Sequence, residues 1–262
     1  MIKYYETHAH FDDPRFNSDR DELLLNLVPK SGVGRVVNVG AGMESSRESV
    51  KLAERYDYIL AAVGVHPHNV KDMNDNDLND LVEMAKHKRV AAIGEIGLDF
   101  HYNNSPRDVQ LRRFRGQMEV VKETGLPVII HSRDTHDETY GILKEYEGKF
   151  NGGIIHCFSG GAELAEKYIA LGFLIAFGGV ITFPKATETV EAAFKIPIEH
   201  IVLETDCPYI APIPFRGKRN DSRCLSYICK KLAIIKGITH EQAARATWEN
   251  AVRLFEGKTH RH

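Results

Sequence analysis

Short apolar, often β-branched runs alternate along the chain with longer segments whose apolar positions recur at helical spacing. The runs are Ile2 to Glu6, Arg35 to Val39, Ile59 to Val65, Val90 to Ile93, Pro127 to Ile130, Gly152 to Ile155, Phe173 to Phe177 and Ile201 to Leu203. Between them the pattern predicts helices. One is capped at Ser18 or Asp19, runs through Leu23, Leu24 and Leu27 and stops near Pro29. Others cover Glu44 to Arg55, a stretch ending near His87 after an Asp/Asn-rich loop, Pro106 to about Thr124, a segment reaching Tyr146, and Ala162 to Leu171. The C-terminal part is helical, with Thr239 and Gln242 as a capping box for a last helix through Leu254 and Phe255. This rhythm makes about eight strand–helix units, the number that closes a TIM (β/α)8 barrel. An open doubly wound sheet is the alternative, but the first strand is not followed by its Gly-x-Gly-x-x-Gly turn. No linker, repeat or low-complexity stretch interrupts the pattern, so one α/β domain is expected over 1–262, with a core from about 4 to 256.

Composition narrows the class without naming a function. The chain has 262 residues, 43% hydrophobic and 27% charged, ordinary values for a globular protein with a core of its own. Met1 to His10 carries no basic stretch leading into a long apolar run, and no segment is long and apolar enough to span a bilayer. Cys157, Cys207, Cys224 and Cys229 have no Cys-x-x-Cys spacing and read as free thiols, so a cytoplasmic location without membrane association is expected. A formal net charge of −2 argues against holding duplex nucleic acid by counterion release over a whole face. Nucleic-acid contact would need a local basic patch.

The chemistry-bearing residues sit where the apolar runs end. His8 and His10 are two positions apart, so on a strand both imidazoles point the same way. His66, Glu95, His131, His156 and Asp206 follow later runs, while His260 and His262 read as tail. Any one of these histidines alone reads as a hydrogen-bonded structural residue. In a TIM barrel, however, the C-terminal strand ends converge on one mouth. Imidazoles and carboxylates gathered there suit divalent metal, and their number suits two ions rather than one.

The motifs Glu6-Thr7-His8-Ala9-His10, Val63-Gly64-Val65-His66-Pro67-His68, Gly94-Glu95-Ile96-Gly97-Leu98-Asp99, Pro127-Val128-Ile129-Ile130-His131-Ser132-Arg133, His156-Cys157-Phe158-Ser159-Gly160 and Leu203-Glu204-Thr205-Asp206 together resemble the TatD family of metal-dependent hydrolases. So do Phe177 to Phe183 and Arg216-Gly217-Lys218-Arg219-Asn220; the likeness runs from about Glu6 to Phe255. It implies an amidohydrolase-like barrel and deoxyribonuclease activity, including 3′–5′ exonucleolytic cleavage. It further implies a first metal held by His8, His10, Glu95 and Asp206, and a second by Glu95, His131 and His156, with Glu95 bridging. The chain departs from the family pattern at Cys207 and at Asp221-Ser222, neither a ligand position.

A pair of divalent ions lowers the pKa of a shared water towards neutrality. The expected reaction is attack of that metal-bridged hydroxide on a phosphodiester, with Glu95 bridging and Asp206 as general base. The imidazole-rich donor set favours Zn²⁺, Mn²⁺, iron or cobalt, whereas the resemblance to nucleases implies Mg²⁺, so two divalent ions (Mg²⁺, Mn²⁺ or Zn²⁺) are expected. Arg133, Arg216, Lys218 and Arg219 are candidate phosphate contacts, His66 a candidate substrate contact, and Tyr102 and Phe183 candidates for base stacking. Glu204, two residues before Asp206, is positioned to orient a ligand histidine. The expected partner is DNA, single-stranded or at its ends, with no obligatory protein partner. Two other readings stay open: hydrolysis of another ester or amide, such as D-aminoacyl-tRNA deacylation, and a non-catalytic metal-binding scaffold.

Overall fold

In a computed structural model, which describes residues 2–257, eight strands form one sheet in the order β1 to β8, every adjacent pair parallel. The strands are β1 (Tyr4–Ala9), β2 (Val33–Val39), β3 (Ile59–Val63), β4 (Val90–Asp99), β5 (Val128–Arg133), β6 (Gly153–Ile155), β7 (Phe173–Phe177) and β8 (Ile201–Leu203). The sheet closes where β1 meets the segment after β8. Asp206 N–H donates to His8 O at 3.0 Å, His10 N–H to Cys207 O at 2.8 Å, and Thr7 Oγ1 to Leu203 O at 2.9 Å. The buried Glu6 carboxylate seals the same seam by accepting the backbone N–H and the hydroxyl of Thr205, at 2.7 and 2.6 Å. The result is the TIM barrel that the alternation predicts.

Strand alternation divides the core in two. Val36, Ala61, Val63, Ile130, Ile155 and Ile175 pack outward with the surrounding helices. Tyr5, Val37, Val39, Ala62, Ile129, Ile154, Leu174 and Val202 form the complementary interior set. Helix His240–Phe255 closes the bottom of that interior with Trp248, Ala251, Leu254 and Phe255. Its N-terminus is fixed by the Thr239–Gln242 capping box.

The structure departs from regular helix and strand geometry at three informative places. The first helical segment continues to Lys30, with a π-helical turn at Leu23–Leu27 ahead of Pro29, whose missing N–H leaves a gap in the hydrogen-bond ladder. The expected fourth strand ended at Ile93, whereas β4 runs on to Asp99 because an irregularity lets it. Three steps on β4, Ile93 to Ile96, oppose two on β5, Val128 to Ile130. The same mismatch occurs in β1, where Glu6 to Ala9 opposes Val36 to Asn38. Each extra residue reverses which side chains face inward. Strict alternation from Ala92 would aim Glu95 outward, and from Tyr5 would aim His8 and His10 outward. The bulges turn all three into the barrel mouth. Among the described residues no helix is long and apolar enough to cross a membrane.

Candidate metal centre

The mouth is a cleft of about 820 Å³ lined by His10, His66, Glu95, His131, His156 and Asp206, with Asp99, Arg133 and two tyrosines at its rim. His8 lies beneath it, fully buried.

The donors fall into two groups joined by one carboxylate. On one side, Glu95 Oε1 is 3.8 Å from His8 Nε2 and 3.5 Å from His10 Nε2. Asp206 Oδ1 faces the same two nitrogens at 3.8 and 3.4 Å. On the other side, Glu95 Oε2 is 3.1 Å from His156 Nε2 and 3.5 Å from His131 Nδ1. Ring nitrogens of His8 and His10 approach each other to 3.1 Å, and those of His131 and His156 to 3.2 Å.

The atoms behind these donors set their orientation. His10 Nδ1 lies 2.8 Å from Val39 O, so its proton points at that carbonyl and Nε2 is left facing Glu95 and Asp206. His131 Nε2 lies 3.2 Å from Asp99 Oδ2, which leaves Nδ1 facing Glu95. His156 Nδ1 is 3.5 Å from Glu204 Oε1, whose hydrogen bond is taken from the Cys157 N–H at 2.6 Å. His66 is different. Its Nδ1 accepts the His68 N–H at 3.1 Å, so the neutral ring carries its proton on Nε2 and is a donor, although it stands close enough to Glu95 and His131 to complete a three-donor group.

The electrostatics agree with a cation site. Burial alone would raise Glu95, but its interactions with the His66, His156 and His8 imidazoles and a bond to His131 hold its carboxyl well below the usual range. Asp206 is likewise lowered: burial opposes, and its bond to His10 and the imidazole charges prevail. Burial would lower His10, yet the Asp206 bond and the Glu95 and Asp206 charges lift it to about 9. His156 is raised well above 6.5 despite burial, by Glu95 and Glu204. His66 is lowered by burial, opposed by Glu95 and reinforced by the His131 and His68 charges.

Buried Glu95 Oε2, Glu204 Oε2, His8 Nδ1 and His156 Nδ1 have no hydrogen-bond partner. An unpaired carboxylate oxygen in a fully buried nest of imidazoles is costly unless a cation takes its lone pair. His8, His10 and Glu95 also form a group whose ligand atoms lie within 4.8 Å of one another. The residues present therefore fit divalent metal.

The substrate candidates separate. Arg133 lies on the cleft wall, its guanidinium 4.7 Å from the Tyr102 ring centre. Arg216 lies over Phe183 at 4.5 Å, and Lys218 is exposed beside it; neither lines the cleft. Arg219 turns away altogether, bonding Asp19 Oδ1 and Arg15 O at 2.8 Å each and covering Phe16. Its guanidinium is already occupied by a carboxylate, which is the physical reason it does not reach the cleft as the loop sequence suggested. The sequence reading missed Asp99, His68, Lys71 and Tyr209, all in the cleft wall. Asp99 had a visible signal: it follows Glu95 and Gly97 at two-residue spacing, on the same strand face.

Residues 5–256 match the family model described as TatD related DNase. The metal-dependent hydrolase YabD of Bacillus subtilis is 40% identical over 251 residues, covering 96% of this chain and 98% of YabD. The metal-dependent hydrolase YcfH of Escherichia coli K12 is 33% identical over 253 residues, 95% of this chain and 94% of YcfH. The crystal structure of YJJV, a TatD homolog from the same bacterium, superposes with a TM-score of 0.91 at 32% identity, covering 97% of this chain and 98% of that one.

Proposed function

The chain belongs to the TatD family of metal-dependent hydrolases, and on that premise we propose that it is a deoxyribonuclease cleaving phosphodiester bonds of single strands or DNA ends, in the manner of a 3′–5′ exonuclease. One observation carries this reading: the two oxygens of Glu95 each face a separate imidazole pair, 3.5 Å from His10 and 3.1 Å from His156. His8, His10, Glu95 and Asp206 would hold one divalent ion, and Glu95, His131 and His156 a second. Mg²⁺, Mn²⁺ or Zn²⁺, when bound there, supply Lewis acidity and a water that ionises near neutral pH.

The chain's own groups do the rest. Asp206, the more exposed of the two central carboxylates, is positioned to take the proton from a water attacking phosphorus and to pass it to solvent. His66 Nε2–H points into the site as a neutral donor to a phosphate oxygen. Arg133 on the wall neutralises the neighbouring phosphate. Asp99 holds His131 in the tautomer that faces the centre, and the Glu204 carboxylate stands 3.5 Å behind His156 Nδ1.

The test is to strip the protein with chelator and offer labelled single-stranded DNA, duplex DNA, RNA and aminoacyl-tRNA, with each metal restored separately. Metal-dependent shortening of DNA supports the reading. Intact DNA beside deacylated tRNA contradicts it and moves the assignment to another ester.

A further inference from the structure

Two exposed tyrosines stand at the rim of the cleft, each under an arginine. Tyr102 follows β4 and is 55% exposed, with the Arg133 guanidinium 4.7 Å from its ring centre. Tyr209 follows β8 and is 46% exposed, with the Arg15 guanidinium at 4.2 Å. Each pair comes from adjacent barrel staves: Tyr102 and Arg133 from β4 and β5, Tyr209 and Arg15 from β8 and β1. Those staves are four apart around an eight-stranded barrel, so the pairs stand on opposite walls of the mouth.

Each ring is also tied to its own half of the centre. The Tyr209 ring lies 6.1 Å from that of His10, and its N–H donates to Asp206 O at 2.9 Å. The Tyr102 ring lies 5.5 Å from that of His68, and its N–H donates to Asp99 Oδ1 at 2.9 Å. His68 Nε2 in turn meets Asp99 Oδ2, the oxygen that also holds His131. Arg15 is locked by Asp13 through bonds of 2.9 and 2.7 Å. Packing alone does not call for an aromatic ring left half open on each wall of a polar cleft, with a guanidinium over each.

Resting on the nuclease reading above, we propose that these pairs are nucleoside-stacking subsites, one on each side of the scissile phosphodiester. A flat base lies on each tyrosine, and each guanidinium offers charge to the backbone beside it. Bases inside a duplex have their faces covered by stacked neighbours, so the substrate is an unpaired strand or a frayed end with a base on both sides of the bond that breaks.

The experiment uses thymidylyl-thymidine and its two analogues in which one or the other thymine base is removed, each carrying a single phosphodiester, with Mn²⁺ supplied. In the wild-type protein, loss of either base lowers kcat/KM about tenfold or more. In Tyr209→Ala the loss of one base no longer matters while the other still does, and Tyr102→Ala shows the reverse. Tyr102→Phe and Tyr209→Phe, which keep the rings, keep both dependences. Base removal that costs nothing in the wild type, or costs the same in both alanine variants, overturns the proposal. A wild-type protein that hydrolyses none of the three, nor any longer DNA strand, overturns the nuclease reading itself and the subsites with it.

Discussion

The Oδ2 atom of Asp99 stands 3.2 Å from Nε2 of His131, on the opposite side of the ring from the nitrogen that faces Glu95. A carboxylate behind a histidine fixes its tautomer and increases the basicity of the nitrogen in front. Asp99 is itself well below the usual carboxylate range: burial opposes, and bonds from His131, the Tyr102 N–H and His68 prevail. Asp99→Asn keeps the shape and removes the charge. It is expected to weaken metal binding at the His131 side about 10- to 100-fold, read by calorimetric titration with Mn²⁺, while the melting temperature of the metal-free protein changes little.

Glu204 holds the turn beneath His156, accepting the Cys157 N–H at 2.6 Å where Cys157 has a φ of 46°, and its charge faces His156 Nδ1 at 3.5 Å. Glu204→Gln keeps an acceptor for that N–H but loses the charge facing His156. Metal affinity is expected to fall by about tenfold with a smaller loss of fold stability. Glu204→Ala removes both contacts and lowers the melting temperature as well. Equal metal affinity in the wild type and the Gln variant would show that Glu204 serves only the turn.

Gly97 sits at φ 144° with its missing Cβ pointed at the backbone of β5; an added carbon would lie 2.0 Å from His131 O. Gly97→Ala therefore forces β4 and β5 apart directly behind His131. The expected cost is about 2 kcal/mol or more, measured by denaturant unfolding, with weakened metal binding alongside.

Arg133 and Arg219 differ in what their charges already meet. Arg133 faces the cleft, whereas Arg219 is committed to Asp19. Arg133→Ala is expected to raise KM for a DNA strand about tenfold, and Arg219→Ala to raise it less while lowering the melting temperature by a degree or two. Steady-state kinetics on one oligonucleotide, with thermal melts, decides the order.

The barrel was legible because apolar runs and helical segments alternate without interruption, and the chemical residues stood at run ends. The spacing of His8 and His10 showed that they share a face. Which face was hidden. Counting by twos from Tyr5 or Ala92 aims His8 and Glu95 at the helices, and only the extra residues in β1 and β4 turn them inward. A bulge is a property of two paired strands, and one strand's pattern does not display it. The basic loop misled for a similar reason: Arg219 finds its carboxylate 200 positions away at Asp19. Arg15, beside an ordinary Asp-Pro turn, gave no sign that it covers Tyr209.

Glu95 is proposed as the carboxylate shared by two cation sites, and metal stoichiometry tests that role most directly. Calorimetric titration of chelator-stripped protein with Mn²⁺ is expected to give two ions per chain, and Glu95→Ala to lose tight binding at both sites together, by about 100-fold or more. A single ion in the wild-type protein, or a Glu95→Ala variant that still binds two with unchanged affinity, would contradict it.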